Sequence, residues 1–253
     1  MRRDDLLNSL TKKRNFFTFE EALKISKLSS KSLQKALYRL LKRGAIERIK
    51  KGKYMIIPLG AEKGKYTLPE FVIASLLVEK HAIAYWSALN YYGLTEQIPN
   101  TVFIQTTTRK FNNNPEVFGV PYKIIKIKDT KIFGIRKEWI EGTQINITDQ
   151  EKTIIDCLDL PQYAGGVIEV AKALKYNIFD NKKLAAYAQR IENSGVIRRL
   201  GYLCELLDIK INLPKLNTRN YLLLDPTMPK KSTKNARWRL IINLDEKILG
   251  ELE

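Results

Sequence analysis

The sequence predicts an α+β protein in which a small basic module precedes a larger mixed α/β domain with an antiparallel sheet and helices. Two observations lead to this prediction. The first sixty or so residues combine segments of helical periodicity with a short hairpin. Further along, β-branched segments within 101–147 are followed by helical periodicities. A stretch with proline, glycine and charges at 58–65 separates the two parts, so we expect domains at 1–66 and 67–253.

The composition excludes several classes of protein. Of the 253 residues, 44% are hydrophobic and 28% are charged, which is typical of a soluble folded protein. The sequence has no apolar run of about eighteen residues and no secretory h-region after Met1-Arg2-Arg3, so we expect no membrane span and no export. Cys157 and Cys204 are too few for a disulfide framework. We therefore expect a cytoplasmic protein.

The charge is unevenly distributed along the chain. The formal net charge is +17. Residues 1–66 contain 18 Lys and Arg against 6 Asp and Glu, a net of +12, whereas the other 187 residues have a net of only +5. Because the excess is concentrated in a quarter of the chain, it favours a nucleic-acid-binding module over general lysine richness.

The basic module carries the local signals of consecutive helices. A short helix is predicted over Asp4–Leu10. Thr18 and Glu21 then form a capping box, and the helix that they open is expected to end near Ser26. After a turn, a further helix is predicted over Lys31–Arg43. Its apolar face consists of Leu33, Leu37, Leu40 and Leu41.

A basic hairpin follows this last helix. Gly44 is expected to end the helix, and strands are predicted at Ile46–Ile49 and Tyr54–Ile57. Lys50-Lys51-Gly52-Lys53 joins the two strands. This succession of elements is that of a winged helix-turn-helix, whose last helix enters the major groove of DNA.

The candidate DNA-binding residues lie on that helix and on the hairpin. They are Ser29, Ser30, Lys31, Ser32, Gln34, Lys35, Tyr38, Arg39, Lys42, Arg48, Lys50, Lys51 and Lys53. Side chains at the start of the helix would read base edges, whereas Tyr38, Arg39 and the hairpin cations would contact the backbone or the minor groove. RNA binding is the main competing interpretation, but the exposed face has no aromatic platform apart from Tyr38.

The remainder of the chain alternates between helical and strand periodicities. Helices are predicted over Pro69–Lys80, Ala82–Tyr92, a segment capped by Thr148 with Glu151, Val167–Lys175, Asn181–Glu192 and Gly195–Leu207. Strands are predicted over Thr101–Thr107, Lys123–Lys128, Ile132–Ile135, Glu138–Glu141, Gln144–Ile147, Asn220–Leu224 and Trp238–Ile242.

The sequence lacks several common catalytic motifs. His81 is the only histidine, which excludes His-rich metal sites, and no phosphate-cradling glycine loop is present. Four acidic residues form one group: Asp149, Glu151, Asp156 and Asp159. Two of them, Asp156 and Asp159, share a helix face that could hold a divalent metal ion. Helix capping explains the first two members of the group better. We therefore expect no enzyme, cofactor or metal, and the alternative is a metal-dependent nucleic-acid-processing enzyme that the winged helix targets.

Several stretches resemble the AbiEi family, the antitoxin and transcriptional regulator of type IV toxin–antitoxin systems. They are Phe17–Ala22 to Lys51–Tyr54, Ala84–Pro99, Ile147–Asp159, and Pro161–Gly166 through to Leu203, with a looser match at Arg237-Trp238-Arg239. The resemblance implies an autorepressor that binds its own operator as double-stranded DNA. It also implies that the C-terminal part counteracts a nucleotidyltransferase-like toxin without a stable complex.

Two questions stay open at the level of sequence. A basic adaptor for an acidic protein is a further alternative, and it would bind polyanions without any preference for a DNA sequence. A homodimer on paired half-sites fits many winged-helix proteins, although no heptad pattern is visible here.

Overall fold

A computed structural model of the protein describes residues 7, 10, 14–58, 60–61, 66–109, 112–215 and 217–244. Its helices are α1 (Phe19–Ser26), α2 (Ser30–Lys42), α3 (Glu70–Leu77), α4 (Tyr85–Tyr91), α5 (Gln150–Asp159), α6 (Val167–Tyr176), α7 (Asn181–Arg190) and α8 (Ser194–Leu206). Its strands are β1 (Phe16–Thr18), β2 (Ile46–Lys50), β3 (Lys53–Ile56), β4 (His81–Ile83), β5 (Val102–Thr106), β6 (Glu116–Val117), β7 (Val120–Lys126), β8 (Ile135–Ile140), β9 (Thr143–Thr148), β10 (Leu222–Leu223), β11 (Lys234–Asn235) and β12 (Leu240–Ile241). The α+β class that the sequence predicted is confirmed.

The N-terminal module consists of α1 and α2 packed on a three-stranded antiparallel sheet of order β1-β3-β2. The capping box at Thr18 and Glu21 is present, because Thr18 Oγ1 accepts from the Glu21 amide and Glu21 accepts from the Thr18 amide. Gly44 follows α2 with a positive φ of 70°, as its predicted role at the helix end requires. The helix predicted over Asp4–Leu10 lies largely outside the described residues, although Leu10 is buried in the core of the module.

A six-stranded sheet forms the centre of the remaining chain, with the order β6-β7-β5-β4-β9-β8. It is mixed, because β5 runs parallel to β7 and β4 runs parallel to β9, whereas the other pairs are antiparallel. The prediction of an antiparallel sheet is therefore correct for three of the five strand pairs and wrong for the two parallel ones. The periodicity of a strand shows which side chains share a face, but it carries no information on the direction of the neighbouring strand.

Two further predictions need correction. The helix predicted over Ala82–Tyr92 begins only at Tyr85, because residues 81–83 form β4 in the middle of the sheet. Thr148 is not the N-cap of α5; this role falls to Asp149, whose Oδ1 accepts from the Lys152 amide at 2.8 Å. The hydroxyl of Thr148 lies instead 2.8 Å from that of Thr153. Short helix-forming and strand-forming apolar runs look alike in sequence, which explains the first error.

Different elements cover the two faces of the six-stranded sheet. Ile104 and Ile124 point to one face, where they belong to an apolar cluster with α3. Ile125 points to the opposite face and joins a second cluster with α5, α6, α7 and α8. The small sheet of order β10-β12-β11 packs on these same helices through Leu224 and Leu240. In the part of the chain that the structure describes, no helix is long and apolar enough to cross a membrane.

The apolar cluster on the α3 side also includes side chains of the N-terminal module. Phe16, Ile49, Met55 and Ile57 are buried in it together with Phe71 and its neighbours on α3. The division into domains at residue 66 stays a prediction, and residues 62–65 at the boundary are outside the described part. Across that boundary, however, the module and the larger part share one apolar cluster.

The contact between Gly201 and Trp238 gives a testable prediction about packing. A Cβ atom at Gly201, inside α8, would overlap the indole ring of Trp238. We expect Gly201→Ala to lower the free energy of unfolding by about 1–3 kcal/mol, as overpacking does. Urea denaturation followed by circular dichroism measures this change.

The control for this prediction is the same substitution in a Trp238→Ala background. There the ring is absent and alanine has the better helix propensity, so Gly201→Ala should stabilise by up to about 1 kcal/mol. Equal destabilisation in both backgrounds would contradict the contact.

Candidate nucleic-acid interface

Helix α2 has one buried and one exposed face. Leu33, Leu37 and Leu40 are buried in the core of the module and fix the rotation of the helix about its axis. The opposite face carries the candidate residues, all of them exposed: Lys31, Ser32, Gln34, Lys35, Tyr38, Arg39 and Lys42. Four of these are cations and α2 contains no acidic residue. A helix with this arrangement presents uncompensated positive charge and hydrogen-bonding groups to an outside partner.

The N-terminus of α2 is held by its own serines. Ser29 is the N-cap, and its hydroxyl accepts from the Ser32 amide at 3.3 Å. The Ser29 hydroxyl also donates to that of Ser32 at 2.9 Å. Ser29, Ser30 and Ser32 are exposed, so the structure brings these predicted residues to the same end of the helix. Because two of the serines serve the cap, helix stability and surface chemistry depend on the same side chains here.

Tyr38 is the one large aromatic side chain exposed on α2, with 59% of its surface accessible. The Lys42 ammonium lies 5.3 Å from the centre of its ring. The ring and the ammonium therefore form one amphipathic unit, one turn from the helix end. Such a unit suits a contact with sugar and phosphate better than with a base edge.

The cations of the hairpin differ in how far they are exposed to solvent. Arg48 is exposed and lies over the Tyr54 ring, with its guanidinium carbon 5.8 Å from the ring centre, and Lys51 is exposed at the tip. Lys50 is half-buried and its ammonium donates to the Leu77 carbonyl at the end of α3, at 2.9 Å. Lys53 is half-buried as well. Lys50 thus connects the hairpin to the larger part of the protein.

The tip of the hairpin is fixed against the start of α1. Gly52 has a φ of 78°, and its carbonyl accepts from the Phe19 amide at 2.8 Å. A positive φ is strained for residues with a Cβ, which explains glycine at this position of the basic tip. The tip and the first helix therefore hold their relative positions.

His81 lies beside the hairpin, at the start of β4. Burial lowers its pKa to about 4, and Lys53 acts in the same direction. The imidazole is consequently neutral at physiological pH. The single histidine of the chain adds no charge to the basic surface and does not titrate near neutrality.

The four acidic residues at and within α5 are paired with three lysines, of which Lys183 serves two. Asp149 accepts from Lys183 at 3.1 Å and from the Tyr187 hydroxyl at 3.0 Å. Asp159 accepts from Lys131 at 2.5 Å. The remaining members of the group are paired in the same way, Glu151 with Lys183 and Asp156 with Lys152.

The pKa values within this group follow from burial and pairing. Burial alone would raise the pKa of Glu151, but the hydrogen bond from Lys183 holds it below its ordinary value. Burial raises the pKa of Asp156 to about 6, against the opposing effect of Lys152. Among the described residues, no group of three or more His, Cys, Asp or Glu side chains is arranged to hold a metal ion. The geometry therefore gives the metal-dependent alternative no support.

Met55 and Ile57, which join the module to the larger part, were not predicted as such from the sequence. Met55 and Ile57 alternate with Tyr54 and Ile56, and the two pairs enter different apolar clusters. The signal was present, because a hairpin with one face in water should alternate apolar and polar residues, whereas Tyr54–Ile57 is apolar throughout. Four consecutive buried residues indicate a strand covered on both faces.

Comparisons with known proteins agree with this description. Residues 4–57 match the family model described as "Transcriptional regulator, AbiEi antitoxin", which confirms the resemblance for the N-terminal module. The crystal structure of the RV2827C protein from Mycobacterium tuberculosis is similar over 98% of this chain and 92% of that one, with a TM-score of 0.64 and 15% sequence identity. That likeness concerns the fold alone. No curated protein sequence matches the chain.

The buried ion pair of Lys152 and Asp156 gives a second prediction. Lys152 is 0% exposed, and removal of its charge in Lys152→Met leaves a buried carboxylate without a cation. We expect the free energy of unfolding to fall by about 3–5 kcal/mol at pH 7.5. The loss should be smaller at pH 4.5. The folded-state pKa of Asp156 already exceeds its ordinary value of 3.8, so the carboxylate of the variant takes up a proton as the pH falls.

Urea denaturation at the two pH values measures both effects. The double variant Lys152→Met/Asp156→Leu is the control, because it removes both charges and should recover most of the lost stability. A loss that is independent of pH, or a double variant as unstable as the single one, would show that packing rather than charge is responsible.

Proposed function

We propose that the N-terminal module is a winged helix-turn-helix that binds a specific DNA duplex, and that the protein is a transcriptional regulator acting on its own operator. The observation that carries the proposal is the exposed face of α2, on which cations and Gln34 project beside a buried leucine face. An α-helix fits the width of the major groove, and its polar side chains can then reach base edges.

The position of each side chain on α2 suggests its role. Gln34 and Lys35 lie in the first half of the helix, where glutamine can bond adenine in a bidentate manner and lysine can donate to guanine. Lys31 and the capping serines lie at the end that enters deepest. The second half of the helix carries Tyr38, Arg39 and Lys42. With the helix in the major groove, these side chains would contact the sugar–phosphate backbone.

The hairpin would act as the wing. Arg48 and Lys51 are exposed and contribute phosphate or minor-groove contacts. We leave Lys50 out of the contact set, because its ammonium is bound to the Leu77 carbonyl. Through this bond and the shared apolar cluster, the wing position depends on the larger part of the protein, so the DNA footprint should require the full chain.

The description of the matching family supports a finer proposal. A regulator of that kind acts as an antitoxin, and we propose that this protein represses its own operon in the cytoplasm as part of a type IV toxin–antitoxin system. The larger part would counteract a nucleotidyltransferase-like toxin without forming a stable complex. On its operator the protein would bind two half-sites as a homodimer, about one helical turn apart.

Sequence-specific binding is tested with the native upstream duplex and a shuffled duplex, titrated across a salt series. We expect the native duplex to bind about a hundredfold more tightly at moderate salt. The double variant Gln34→Ala/Lys35→Ala should remove most of this preference, since each base contact contributes about 1–3 kcal/mol of discrimination. Fluorescence anisotropy gives both dissociation constants.

A matched control variant is Lys182→Ala/Gln189→Ala, which removes the same two residue types from the exposed face of α7. It should bind the native duplex as the unchanged protein does. If both duplexes bind equally and the affinity only falls with salt, the module is a general polyanion binder and the proposal is wrong. Analytical ultracentrifugation on the native duplex measures the number of protein chains bound.

A further inference from the structure

A second concentration of positive charge lies near the C-terminus. Residues 209–244 contain eight Lys and Arg and a single acidic residue, Asp225. Asp225 is buried, and its carboxylate accepts from the Val167 amide at the start of α6, at 2.7 Å. The charged side chains that this segment exposes are therefore almost all positive.

Several of these cations lie over aromatic rings. The guanidinium carbon of Arg237 is 5.5 Å from the Trp238 ring, and that of Arg239 is 5.4 Å from the Tyr221 ring. The ammonium of Lys234 lies 5.3 Å from the same tyrosine ring. We call the set Tyr221, Lys234, Arg237, Trp238 and Arg239 the C-terminal cationic surface. Its two guanidinium groups stand two residues apart on one turn between β11 and β12.

Neighbouring groups hold this surface in place. Trp238 packs on α8 at Gly201, and its indole nitrogen donates to Glu205 at 2.6 Å. Glu205 also accepts from Arg237 at 3.2 Å, yet 70% of the Arg237 side chain stays exposed. Asp208 lies near the same ring, in the hollow between the end of α8 and Trp238. Arg237 is therefore exposed beside an anchored ring, whereas Arg239, Tyr221 and Trp238 are half-buried. A planar guanidinium held beside a ring can still stack on a further flat group.

Arg239 has an uncommon backbone conformation. Its φ is 52°, and its side chain donates to the Tyr221 hydroxyl at 3.0 Å while its carbonyl accepts from the Leu222 amide at 3.1 Å. A left-handed conformation at a residue with a Cβ costs free energy and persists where the surroundings impose it. Here it directs the guanidinium over the ring.

The C-terminal cationic surface is separate from the winged helix. The small sheet that carries it packs on α8, where Arg199 donates to the Leu223 and Leu224 carbonyls. That layer of helices covers the face of the central sheet opposite to the one that contacts the N-terminal module. A duplex seated on α2 would not account for these cations.

From this arrangement we infer that the C-terminal cationic surface binds a single-stranded polynucleotide. Unstacked bases lie on aromatic rings and guanidinium planes, while the accompanying cations contact the phosphates. The surface offers neither a helix nor a long two-stranded ribbon for the major groove of a duplex, because the strands β10, β11 and β12 have two residues each. This activity is additional to operator binding and does not depend on it.

The test uses the full chain carrying Gln34→Ala/Lys35→Ala, so that α2 contributes little. Fluorescence anisotropy is measured with a labelled twelve-nucleotide single-stranded RNA of mixed sequence, with single-stranded DNA of the same sequence, and with the corresponding duplex. Addition of Lys234→Ala/Arg237→Ala/Arg239→Ala should weaken single-strand binding at least about tenfold and duplex binding less than about twofold. The slope of log affinity against log salt should become less steep by about 2, as expected for three lost phosphate contacts.

The matched control removes three exposed lysines elsewhere, in Lys126→Ala/Lys128→Ala/Lys137→Ala. It loses the same charge and should change single-strand affinity less than about twofold. If it weakens binding as much as the first triple variant, or if the triple variant affects duplex and single strand equally, the surface is a general polyanion binder and the inference is wrong. RNA bound more tightly than DNA would show that the 2′-hydroxyl is recognised, and equal binding would show that base and phosphate suffice.

Two further variants address folding and stacking. Thermal unfolding shows whether the triple variant folds. If it does not, the double variant Lys234→Ala/Arg237→Ala is used instead, because it leaves the Arg239 contacts intact. Its single-strand affinity should fall about fivefold. Arg237→Lys/Arg239→Lys keeps the charge but loses the planar groups, so it should still weaken binding several-fold. Unchanged affinity in this last variant would overturn the stacking contribution. Operator binding by the protein with an unchanged α2 should survive all of these substitutions.

Discussion

The arrangement of the protein depends on a small sheet that is buried on both of its faces. On one face, Tyr54 and Ile56 pack against α1 and α2; on the other, Met55 and Ile57 pack against α3. Burial of apolar surface is favourable whatever the orientation of the groups that cover it. Two unrelated layers can therefore pack on opposite faces of the same hairpin. The consequence is that the hairpin cannot move relative to the larger part without exposing buried side chains. The positions of the hairpin and of the larger part are thereby coupled through packing.

The central six-stranded sheet separates two positively charged surfaces. One of its faces carries α3 and the N-terminal module, and the other carries α5 to α8 with the small C-terminal sheet. The two surfaces also differ in construction. On α2 a regular helix spaces its cations and Gln34 along one exposed face, whereas at Arg237 and Arg239 short strands and a turn place guanidinium groups over rings. Different geometries of this kind suit different forms of nucleic acid.

Local signals in the sequence predicted local structure well. The capping box at Thr18 and Glu21 and the leucine face of α2 depend on residues within one or two turns of each other, and both are present. Features that depend on distant segments were not predictable in this way. The parallel pairing of β4 with β9 joins Ile83 to Ile147, and no short-range pattern encodes such a pair. The replacement of Thr148 by Asp149 as N-cap likewise depends on Tyr187, which fixes the Asp149 carboxylate from another helix.

The candidate DNA-binding residues on α2 followed from periodicity, because a buried leucine face determines which side chains are exposed. The contact of Lys50 could not be predicted from periodicity, because its hydrogen bond to the Leu77 carbonyl depends on where α3 packs. In the sequence, the only sign of the C-terminal cationic surface is the basic run Lys230-Lys231-Ser232-Thr233-Lys234. Its aromatic component needs Tyr221 to meet Arg239 across the small sheet, and this meeting is a property of the fold.

The positions of the acidic residues determine where the net charge of +17 is exposed on the surface. On α5 and α6 the carboxylates are directed inward, where Asp156 pairs with Lys152 and Glu169 accepts from Thr95. The pair of Asp156 with Lys152 takes one charge of each sign away from the surface, so it leaves the balance of exposed charge unchanged. Burial of Glu169, by contrast, removes an acidic group from the surface. Helix α2 contains no acidic residue. In the C-terminal cationic surface Arg237 pairs with Glu205, yet 70% of its side chain stays exposed. The chain therefore concentrates its positive potential at two places, as a protein with polyanionic partners would, instead of spreading it evenly as general lysine richness would.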